Sequence, residues 1–254
     1  MPIRMIVTDL DGTLLRKDKT ISEYTASVFQ QCRDMGIITV LATARPIRAV
    51  KMLNLDWLFD ASIFHNGAVV YVGEMNTMRF GVSPDAIKEI VGTAFTTDKS
   101  AKICIEINDR LYGNYDPSDL WPGIEITITD FSDLPAIPAD KVIFPMSTMA
   151  ELKEVARTLP NNLYIEMSEN TVGMIMNKDA TKSKAIKHLS EHFGIPLSDV
   201  VTFGDDYNDI EMLRECGIGV AVENAIEEVK AVADYLCDSN DNDGVAKWLA
   251  KNAL

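Results

Sequence analysis

Two aspartates separated by one residue follow the first apolar run of the chain. Asp9 and Asp11 stand in Asp9-Leu10-Asp11-Gly12-Thr13, directly after the apolar residues 5–7. Side chains at positions i and i+2 of an extended segment share a face, so we expect the two carboxylates to lie side by side. Such a pair binds a cation or shares a proton. With Mg²⁺, one carboxylate can be a nucleophile and the other a general acid and base. The alternative is a solvated Asp-Gly turn.

A second acidic cluster follows a later apolar run. Gly204-Asp205-Asp206-Tyr207-Asn208-Asp209 comes after the apolar residues 200–203 and opens a predicted helix. Taken alone, it is typical of a helix N-terminus, where the helix dipole stabilises negative charge. In open α/β sheets, however, ligands bind beyond the carboxyl ends of the strands, which would bring both acidic clusters to one crevice. Together they offer oxygen ligands for one hard cation such as Mg²⁺.

Two further segments carry groups suited to an anionic ligand. Thr43-Ala44-Arg45 follows an apolar run and precedes a helix, which would present a hydroxyl and backbone amides to a phosphate. The simpler interpretation is a helix N-cap at Thr43. Lys182 begins another predicted helix, where a cation opposes the helix dipole. This small electrostatic cost indicates a functional role for Lys182. The alternative is that Lys182 is a solvated surface lysine.

The elements that must position these residues alternate between apolar runs and helical stretches. This alternation predicts βαβ units and a parallel sheet. At the first helix, Thr20 and Glu23 predict a capping box, and Gly36 predicts a left-handed residue after the helix. The predicted strands cover 5–7, 37–41, 61–64, 200–203, 218–222 and 235–237, and the predicted helices cover 22–35, 47–53, 182–193, 209–215, 225–232 and a terminal stretch from 244.

The pattern between these two stretches of alternation is different. Strict apolar and polar alternation predicts antiparallel strands with one solvated face. Pro84 opens one helix, and Thr148 with Glu151 predicts the capping box of another. The predicted strands here include 102–107 and 125–129, with a hairpin of 163–167 and 171–176 around residues 168–170.

This layout predicts an α/β fold in which an insertion divides one domain. The core domain, residues 1–80 and 181–254, is expected to have a Rossmann-like parallel sheet, and residues 81–180 are expected to form an inserted α+β domain. With 24 basic and 38 acidic residues the net charge is −14, which argues against a general nucleic-acid-binding surface. We expect no signal peptide, no membrane span and a cytoplasmic location with reduced cysteines, and we leave the oligomeric state open.

The order and content of these segments resemble the haloacid dehalogenase (HAD) superfamily of phosphotransferases. The match is to its four motifs: Asp9-x-Asp11-Gly12-Thr13, Thr43, Lys182 and Gly204-Asp205-x-x-Asn208-Asp209. The inserted block after the second motif looks like the C2B cap of the Cof-type phosphatases. Smaller similarities are Asn66-Gly67 and the ending Ser239-Asn240-x-x-x-Gly244-Val245-Ala246.

The resemblance implies a role for each matching residue. It implies that Asp9 attacks phosphorus and becomes an aspartyl phosphate, while Asp11 protonates the leaving alcohol and then activates water. It implies Mg²⁺ on the carboxylate of Asp9, the backbone carbonyl of Asp11 and the side chain of Asp205, with Asp209 in support. Thr43 and Lys182 are implied as further catalytic residues. Phosphate or substrate contacts are implied for Leu10, Gly12, Thr13, Thr43, Ala44, Arg45, Asn66, Gly67, Lys182 and Asn208.

The implied activity is Mg²⁺-dependent hydrolysis of a small phosphomonoester, with a sugar phosphate as the first candidate. The alternatives are a phosphosugar mutase of the same superfamily and a regulatory protein that binds metal or phosphate without turnover. A dehalogenase is disfavoured because Asp11 is present. The resemblance also implies that the cap closes over the leaving group and sets specificity. Polar or aromatic candidates in the cap are Glu106, Asn108, Arg110, Tyr112, Glu166 and Asn177.

The chain departs from the family pattern at two positions. Ala44 stands where Cof-type members usually have glycine, and we expect it to be tolerated if its φ is negative. Asp206 stands where small or hydroxyl residues are common, and we expect its side chain to face solvent. The histidines His65, His188 and His192 have no metal-binding spacing, and we interpret them as surface or core-edge residues, with contact to the substrate as the alternative for His65 beside Asn66-Gly67.

Overall fold

The computed structural model describes residues 2–168 and 171–254. Its contacts divide the chain into two compact units. One unit comprises the residues up to Met78 and those from Thr181 to Leu254, and the other comprises Arg79–Ala180.

The described residues form fourteen strands and eight α-helices. The strands are β1 (Met5–Thr8), β2 (Ile38–Ala42), β3 (Ala61–Phe64), β4 (Val69–Val72), β5 (Met75–Arg79), β6 (Cys104–Ile107), β7 (Arg110–Gly113), β8 (Ile126–Ile128), β9 (Lys141–Pro145), β10 (Leu163–Ser168), β11 (Val172–Asn177), β12 (Val200–Gly204), β13 (Ile218–Val222) and β14 (Tyr235–Cys237). The helices are α1 (Glu23–Asp34), α2 (Ile47–Lys51), α3 (Pro84–Thr97), α4 (Met149–Thr158), α5 (Lys182–Phe193), α6 (Ile210–Glu215), α7 (Glu227–Lys230) and α8 (Gly244–Asn252).

The first unit is built on a mixed, mostly parallel sheet with the strand order β14-β13-β12-β1-β2-β3-β4-β5 within the described chain. Strand β1 lies at its centre, where Met5 pairs with Val200 of β12 on one side and Ile38 of β2 on the other. All four residues of β1 and all five of β12 are buried. Strands covered on both faces need apolar residues at nearly every position, which explains the continuous apolar runs in the sequence.

The prediction of a parallel sheet is correct from β14 to β3 and wrong at the far edge. There β4 runs antiparallel to β3, with Ala61 opposite Val72. A parallel return would need a crossover of a dozen or more residues, but only residues 65–68 connect the two strands. His65, Asn66 and Gly67 adopt positive φ angles and close this short turn.

The predicted N-cap of α1 is also wrong. The cap is Ser22, whose Oγ accepts a hydrogen bond from the backbone N–H of Thr25 at 2.9 Å. Thr20 is unavailable because its hydroxyl and backbone N–H both donate to the Asp18 carboxylate. The other end of the helix is as predicted, since Gly36 has a φ of +79° and its N–H donates to the carbonyl of Arg33.

The second unit is built on a sheet whose strand order, over the described residues, is β10-β11-β9-β6-β7-β8. Its pairs are antiparallel as predicted, except that β7 and β8 are parallel. The predicted hairpin is present as β10 and β11, although its turn residues 169 and 170 lie outside the described residues. Pro84 opens α3 and the Thr148–Glu151 capping box opens α4, as predicted.

Helices α3 and α4 contribute to the apolar core of this unit. Ile87 and Ile90 of α3 pack with Ile103, Ile105 and Ile175 of the sheet, and Leu152 and Val155 of α4 border the same cluster. Throughout residues 2–168 and 171–254, each helix is too short or too polar to cross a membrane.

Candidate active site

The ends of three neighbouring strands gather the predicted chemical groups of the first unit. Strands β12, β1 and β2 are adjacent and parallel, so their carboxyl ends lie at the same edge of the sheet. β1 ends at Thr8, directly before Asp9, while β12 ends at Gly204 and β2 ends at Ala42. The residues that follow are therefore Asp9, Asp205 and Thr43, which places three of the four motifs side by side.

Three carboxylates meet at this edge. One oxygen from each of Asp9, Asp205 and Asp209 lies within 4.8 Å of the others. Asp9 is 6% exposed and Asp209 is fully buried. We call these three residues the carboxylate cluster.

Lys182 is the counter-ion of the carboxylate cluster. Its Nζ lies 2.6 Å from Asp9 Oδ1 and 2.6 Å from Asp209 Oδ1. The residue is 1% exposed, which rejects the alternative of a solvated surface lysine. It is the first residue of α5, and Thr181 caps that helix by accepting a hydrogen bond from the N–H of Lys184. Lys182 therefore opposes the dipole of its own helix in order to contact two carboxylates.

Burial and crowding shift the pKa values of these groups. Burial raises the pKa of Asp9 well above its ordinary value, Lys182 lowers it, and the charges of Asp209 and Asp205 raise it further. Burial likewise raises the pKa of Asp205 to about 6, against the hydrogen bond from Thr13. For Lys182, burial works to lower the pKa, but the carboxylates of Asp209 and Asp9 outweigh it and raise the pKa. Negative charge in the cluster is thus only partly compensated by the protein.

The donor set of the carboxylate cluster fits a hard divalent cation. Three ionised carboxylates and one ammonium carry a net charge of −2, and Mg²⁺ prefers one or two carboxylates with water and phosphate oxygens. Burial is the main cause of the raised pKa of Asp205, and the charge of Asp209 adds to it; a cation bound here would relieve that repulsion. Residues that would hold Mg²⁺ are Asp9 and Asp205, with Asp209 close by.

Hydrogen bonds from neighbouring loops orient the acidic side chains. Thr13 Oγ1 donates to Asp205 Oδ1 at 2.6 Å. Asp209 Oδ2 accepts from the backbone N–H groups of Asp205 and Asp206 at 3.0 and 3.2 Å. This loop has no space for a larger residue at Gly204, where a Cβ would lie 2.4 Å from the Cβ of Asp209. Gly204 is therefore required by its close packing against Asp209.

Asp11 lies in a different environment from Asp9. Its carboxylate accepts from Arg45 Nε and Nη2, both at 2.6 Å, and from Lys19 Nζ at 2.7 Å. Partial burial works to raise the pKa of Asp11, but the hydrogen bonds from Arg45 and Lys19 outweigh it and lower the pKa. β1 ends at Thr8 and a turn includes Leu10, so Asp9 and Asp11 follow the strand rather than belong to it, and their position side by side stays a prediction.

Thr43 is buried at the end of β2. Its Oγ1 accepts from the backbone N–H of Arg45 at 3.1 Å. It is not a helix N-cap, because α2 starts at Ile47 with Pro46 in the capping position. Ala44 has no positive φ, so the condition for tolerating alanine at this position is met.

The β3–β4 turn joins the second motif to the fourth. The N–H of Asn66 donates to the carbonyl of Thr43 at 3.0 Å, and Asn208 Nδ2 donates to Asn66 Oδ1 at 2.9 Å. Gly67 has a φ of +110°, and a Cβ there would lie 2.2 Å from the carbonyl oxygen of Thr181. The predicted contact residues Thr43, Asn66, Gly67 and Asn208 thus belong to one connected group.

The other residues of the first unit that the sequence analysis considered differ in how far they are buried. Leu10 is fully buried in the core, so its side chain offers no ligand contact. Asp206 is exposed, in accord with the expectation. His192 is exposed and His188 is half-buried, but His65 is buried, which the interpretation as a surface or core-edge residue did not foresee.

The candidates in the second unit differ in how far solvent reaches them. Glu106 is buried, and the side chain of Asn177 is engaged by the carbonyl of Gly81 and the N–H of Asp179. Asn108 and Arg110 are exposed, whereas Tyr112 and Glu166 are half-buried. An ion pair between half-buried Arg79 and buried Asp140 was not predicted from the sequence, because neither residue stands in a recognisable motif.

Lys19 was also missed as a partner of Asp11. It is a lysine with a φ of +64°, eight residues beyond Asp11 in an irregular segment, and no sequence pattern distinguishes it from other surface lysines. The contact depends on the path of the loop after β1.

Comparison with known proteins identifies the class to which this fold and site belong. A sequence model of the haloacid dehalogenase-like hydrolases matches residues 6–249. The chain therefore belongs to the haloacid dehalogenase-like hydrolase family and is an enzyme of the hydrolase class. The resemblance stated from the four motifs is confirmed, and so is the α/β fold class.

Individual relatives match along nearly the full length of the chain. The 5-amino-6-(5-phospho-D-ribitylamino)uracil phosphatase YitU of Bacillus subtilis is 29% identical over 262 residues, which cover 96% of each chain. The solved structure of the HAD subclass IIB sugar phosphatase BT4131 superposes with a TM-score of 0.84 at 27% identity and covers 98% of both chains. TM0651 from Thermotoga maritima superposes with a TM-score of 0.86 at 26% identity, covering 100% of this chain and 98% of its own.

Proposed function

We propose that this hydrolase is a Mg²⁺-dependent phosphomonoesterase that acts on a small phosphorylated metabolite, with sugar phosphates as the substrate class. The observation that carries the proposal is the carboxylate cluster around Lys182, a group with a net charge of −2 when ionised, in which Asp9 is buried. Such a site gains from a divalent cation and from the cationic face that the cation and Lys182 then present to a phosphate. Two relatives support a small phosphorylated metabolite as the substrate: BT4131 is a sugar phosphatase, and YitU is a 5-amino-6-(5-phospho-D-ribitylamino)uracil phosphatase.

Asp9 is the proposed nucleophile. Lys182 fixes one oxygen of its carboxylate at 2.6 Å, and Asp209 fixes Lys182 at the same distance. A carboxylate held in this way attacks phosphorus without a change of its own position, which is how orientation lowers a barrier. The product of the attack is an aspartyl phosphate on Asp9, with the alcohol of the substrate as leaving group.

Bound Mg²⁺ supplies Lewis-acid neutralisation of the phosphoryl oxygens. The chain's own residues do the positioning. The Thr43 hydroxyl, the backbone N–H of Ala44 and the Asn208 amide are the proposed contacts of the transferring phosphoryl group, and Lys182 adds its charge. Phosphoryl transfer is mostly positioning and charge neutralisation, which this set of groups provides.

Asp11 is the proposed general acid and base. In this arrangement, Arg45 and Lys19 hold its carboxylate ionised, which suits acceptance of a proton from the hydrolytic water. Donation of a proton to the leaving alcohol requires the carboxyl group to be released from Arg45 first. The Arg45 contact is therefore expected to change during turnover.

The test is phosphate release from a panel of substrates with and without Mg²⁺. The panel contains sugar phosphates, 5-amino-6-(5-phospho-D-ribitylamino)uracil, pyridoxal phosphate and nucleotides, and Asp9→Asn is assayed beside the wild type. We expect Mg²⁺-dependent release by the wild type and none by the variant. Release that is independent of Mg²⁺, or that survives Asp9→Asn, would refute the proposed site. Interconversion of sugar phosphates without net release would indicate a mutase instead.

A further inference from the structure

The loop that follows β1 contains a residue that must be glycine. Gly12 has a φ of +82°, and a Cβ at this position would lie 2.3 Å from Asp205 Oδ2. Any side chain would therefore collide with a carboxylate of the cluster and strain the backbone. Glycine avoids both the collision and the backbone strain, but its backbone has more conformational freedom than that of any other residue.

The backbone freedom of Gly12 matters because this residue lies between Asp11 and Thr13. Its N–H belongs to the same peptide group as the backbone carbonyl of Asp11, and its own carbonyl leads to Thr13, which orients Asp205. Rotation about the φ and ψ angles of Gly12 would therefore misplace Asp11 relative to Asp205. Because Gly12 cannot be replaced by a less flexible residue, the loop has to be held rigid by contacts with other segments of the chain.

Two asparagines from distant parts of the chain supply contacts to this loop. Asn224 Nδ2 donates to the carbonyl of Gly12 at 2.7 Å. Asn224 Oδ1 accepts from the backbone N–H of Asn240 at 3.0 Å, and Asn240 Nδ2 donates to the carbonyl of Leu15 at 2.7 Å. We call Asn224 and Asn240 the asparagine brace. It fixes one carbonyl on each side of Thr13.

The polar loop that carries Asn240 is attached to the β1 loop at further points. Asp241 Oδ1 accepts from the backbone N–H of Lys17 at 2.9 Å, and the Asp243 carboxylate accepts from Arg16 Nη2 at 2.8 and 3.0 Å. Asn240 itself is 5% exposed, so its amide is satisfied inside the protein rather than by solvent. The two loops therefore behave as one structural unit.

We propose that Asn224 and Asn240 are positioning residues of the active site. They hold the Asp11-Gly12-Thr13 backbone in the orientation that catalysis and Mg²⁺ binding require, and they touch neither the substrate nor the metal. This inference rests on the proposed function for its kinetic consequence. Its effect on Mg²⁺ binding can be measured without substrate.

The test uses Asn224→Asp and Asn240→Asp, which keep the shape of the side chain and remove the donated hydrogen bond. Each variant also places a carboxylate oxygen against a backbone carbonyl. Asn224 is exposed, so Asn224→Asp is expected to fold even if Asn240→Asp does not. The matched control is Asn252→Asp, because Asn252 Nδ2 donates to the carbonyl of Trp248 at the same distance of 2.7 Å, at the end of α8.

Three quantities are measured: kcat and KM for a sugar phosphate, the Kd of Mg²⁺ by titration calorimetry without substrate, and Tm. For Asn224→Asp we expect kcat to fall about 3- to 10-fold, the equivalent of one neutral hydrogen bond, with KM little changed. The Kd of Mg²⁺ is expected to rise in the same range. For Asn252→Asp we expect kcat and Kd equal to those of the wild type.

A purely structural role of the brace would lower Tm and leave kcat and the Mg²⁺ Kd unchanged well below Tm. That result for Asn224→Asp, obtained with an active wild type, would overturn the inference. If the wild type releases no phosphate, the proposed function is refuted. The Kd of Mg²⁺, measured by calorimetry, still tests the role of the asparagine brace. An unchanged Kd would then reject the brace, and a raised Kd that is absent in Asn252→Asp would support it.

Discussion

Replacement of Lys182 by methionine separates the electrostatic role of this residue from its role in packing. Methionine keeps an unbranched side chain of similar length in the buried position but removes the ammonium. Asp9 and Asp209 then lose the donor that lies 2.6 Å from each of them. The three carboxylates of the cluster keep their mutual repulsion, and Asp9 loses the ammonium that lowers its pKa.

The size of the effect follows from the burial of the pair. Removal of one partner of a buried ion pair costs about 3–5 kcal/mol, since it leaves an uncompensated charge. Protonation of one carboxylate relieves part of this cost, so we take about 3 kcal/mol. For a chain of this size, that corresponds to a fall in Tm of roughly 6–12 °C.

The assay is thermal unfolding at neutral pH, in EDTA and again with Mg²⁺, with Lys187→Met as the control. Lys187 lies on the same helix α5 and is exposed. We expect a fall in Tm in EDTA for Lys182→Met alone. We also expect Mg²⁺ to raise the Tm of Lys182→Met by more than it raises that of the control, because the cation replaces the lost charge. Equal Tm values for the two variants in EDTA, or equal Mg²⁺ shifts, would refute the electrostatic account of Lys182.

Three further predictions concern other parts of the chain. Burial works to raise the pKa of Asp243, but hydrogen bonds from Ser22, Arg16 and Thr25 outweigh it and lower the pKa. The carboxylate therefore stabilises the fold above its unfolded pKa, and this stabilisation is lost as the pH falls through the lower folded pKa. Urea unfolding should show a loss of about 1–2 kcal/mol for Asp243→Asn at pH 7, and this loss should shrink as the pH is lowered into the acid range. Arg79→Met should destabilise the second unit by about 1.5–3 kcal/mol, because the buried Asp140 carboxylate would lose the hydrogen bond from the guanidinium; an unfolding transition identical to that of Arg110→Met would contradict this. Ala44→Gly should change kcat by less than about threefold, since Ala44 has no positive φ and needs no glycine; a larger gain would mean that the Cβ obstructs phosphate.

The fold could be predicted where the sequence pattern is strong over many residues. Strand β13 and helix α5 begin and end at the predicted residues, because a buried parallel strand leaves a continuous apolar run and an amphipathic helix leaves a clear periodicity. The edge strand β14 also has the predicted bounds, although Tyr235 and Leu236 are exposed. The antiparallel edge formed by β4 and β5 was not predicted. Its course depends on the positive φ angles of the 65–67 turn, and two of those three residues are not glycine. Local sequence gives little indication of such a turn.

In the site, too, the features that depend on local sequence could be predicted, and those that depend on tertiary contacts could not. The motifs indicated which residue types would meet, since neighbouring strand ends were implied by the βαβ pattern. The burial of Lys182 could not be inferred, because it results from the contact of α5 with residues 173 positions earlier and 27 positions later. The contacts of Asp11 with Arg45 and Lys19 likewise depend on where the β1 loop turns after Thr8. Such contacts follow from the path of the chain and leave no pattern in the sequence.

The central claim is that Asp9 becomes phosphorylated during hydrolysis. The most direct measurement is peptide mass spectrometry of Asp11→Asn after a brief reaction with a substrate, Mg²⁺ and an acid quench. In this variant the base for the hydrolytic water is removed, and a substrate whose leaving group needs no protonation, such as p-nitrophenyl phosphate, bypasses the lost general acid, so the intermediate should form and persist. We predict the added mass of one phosphoryl group on the peptide that contains Asp9, labile to hydroxylamine and absent when Asp9→Asn is combined with Asp11→Asn. The account would be contradicted if the wild type released phosphate but the phosphoryl mass were found on another residue and not on Asp9.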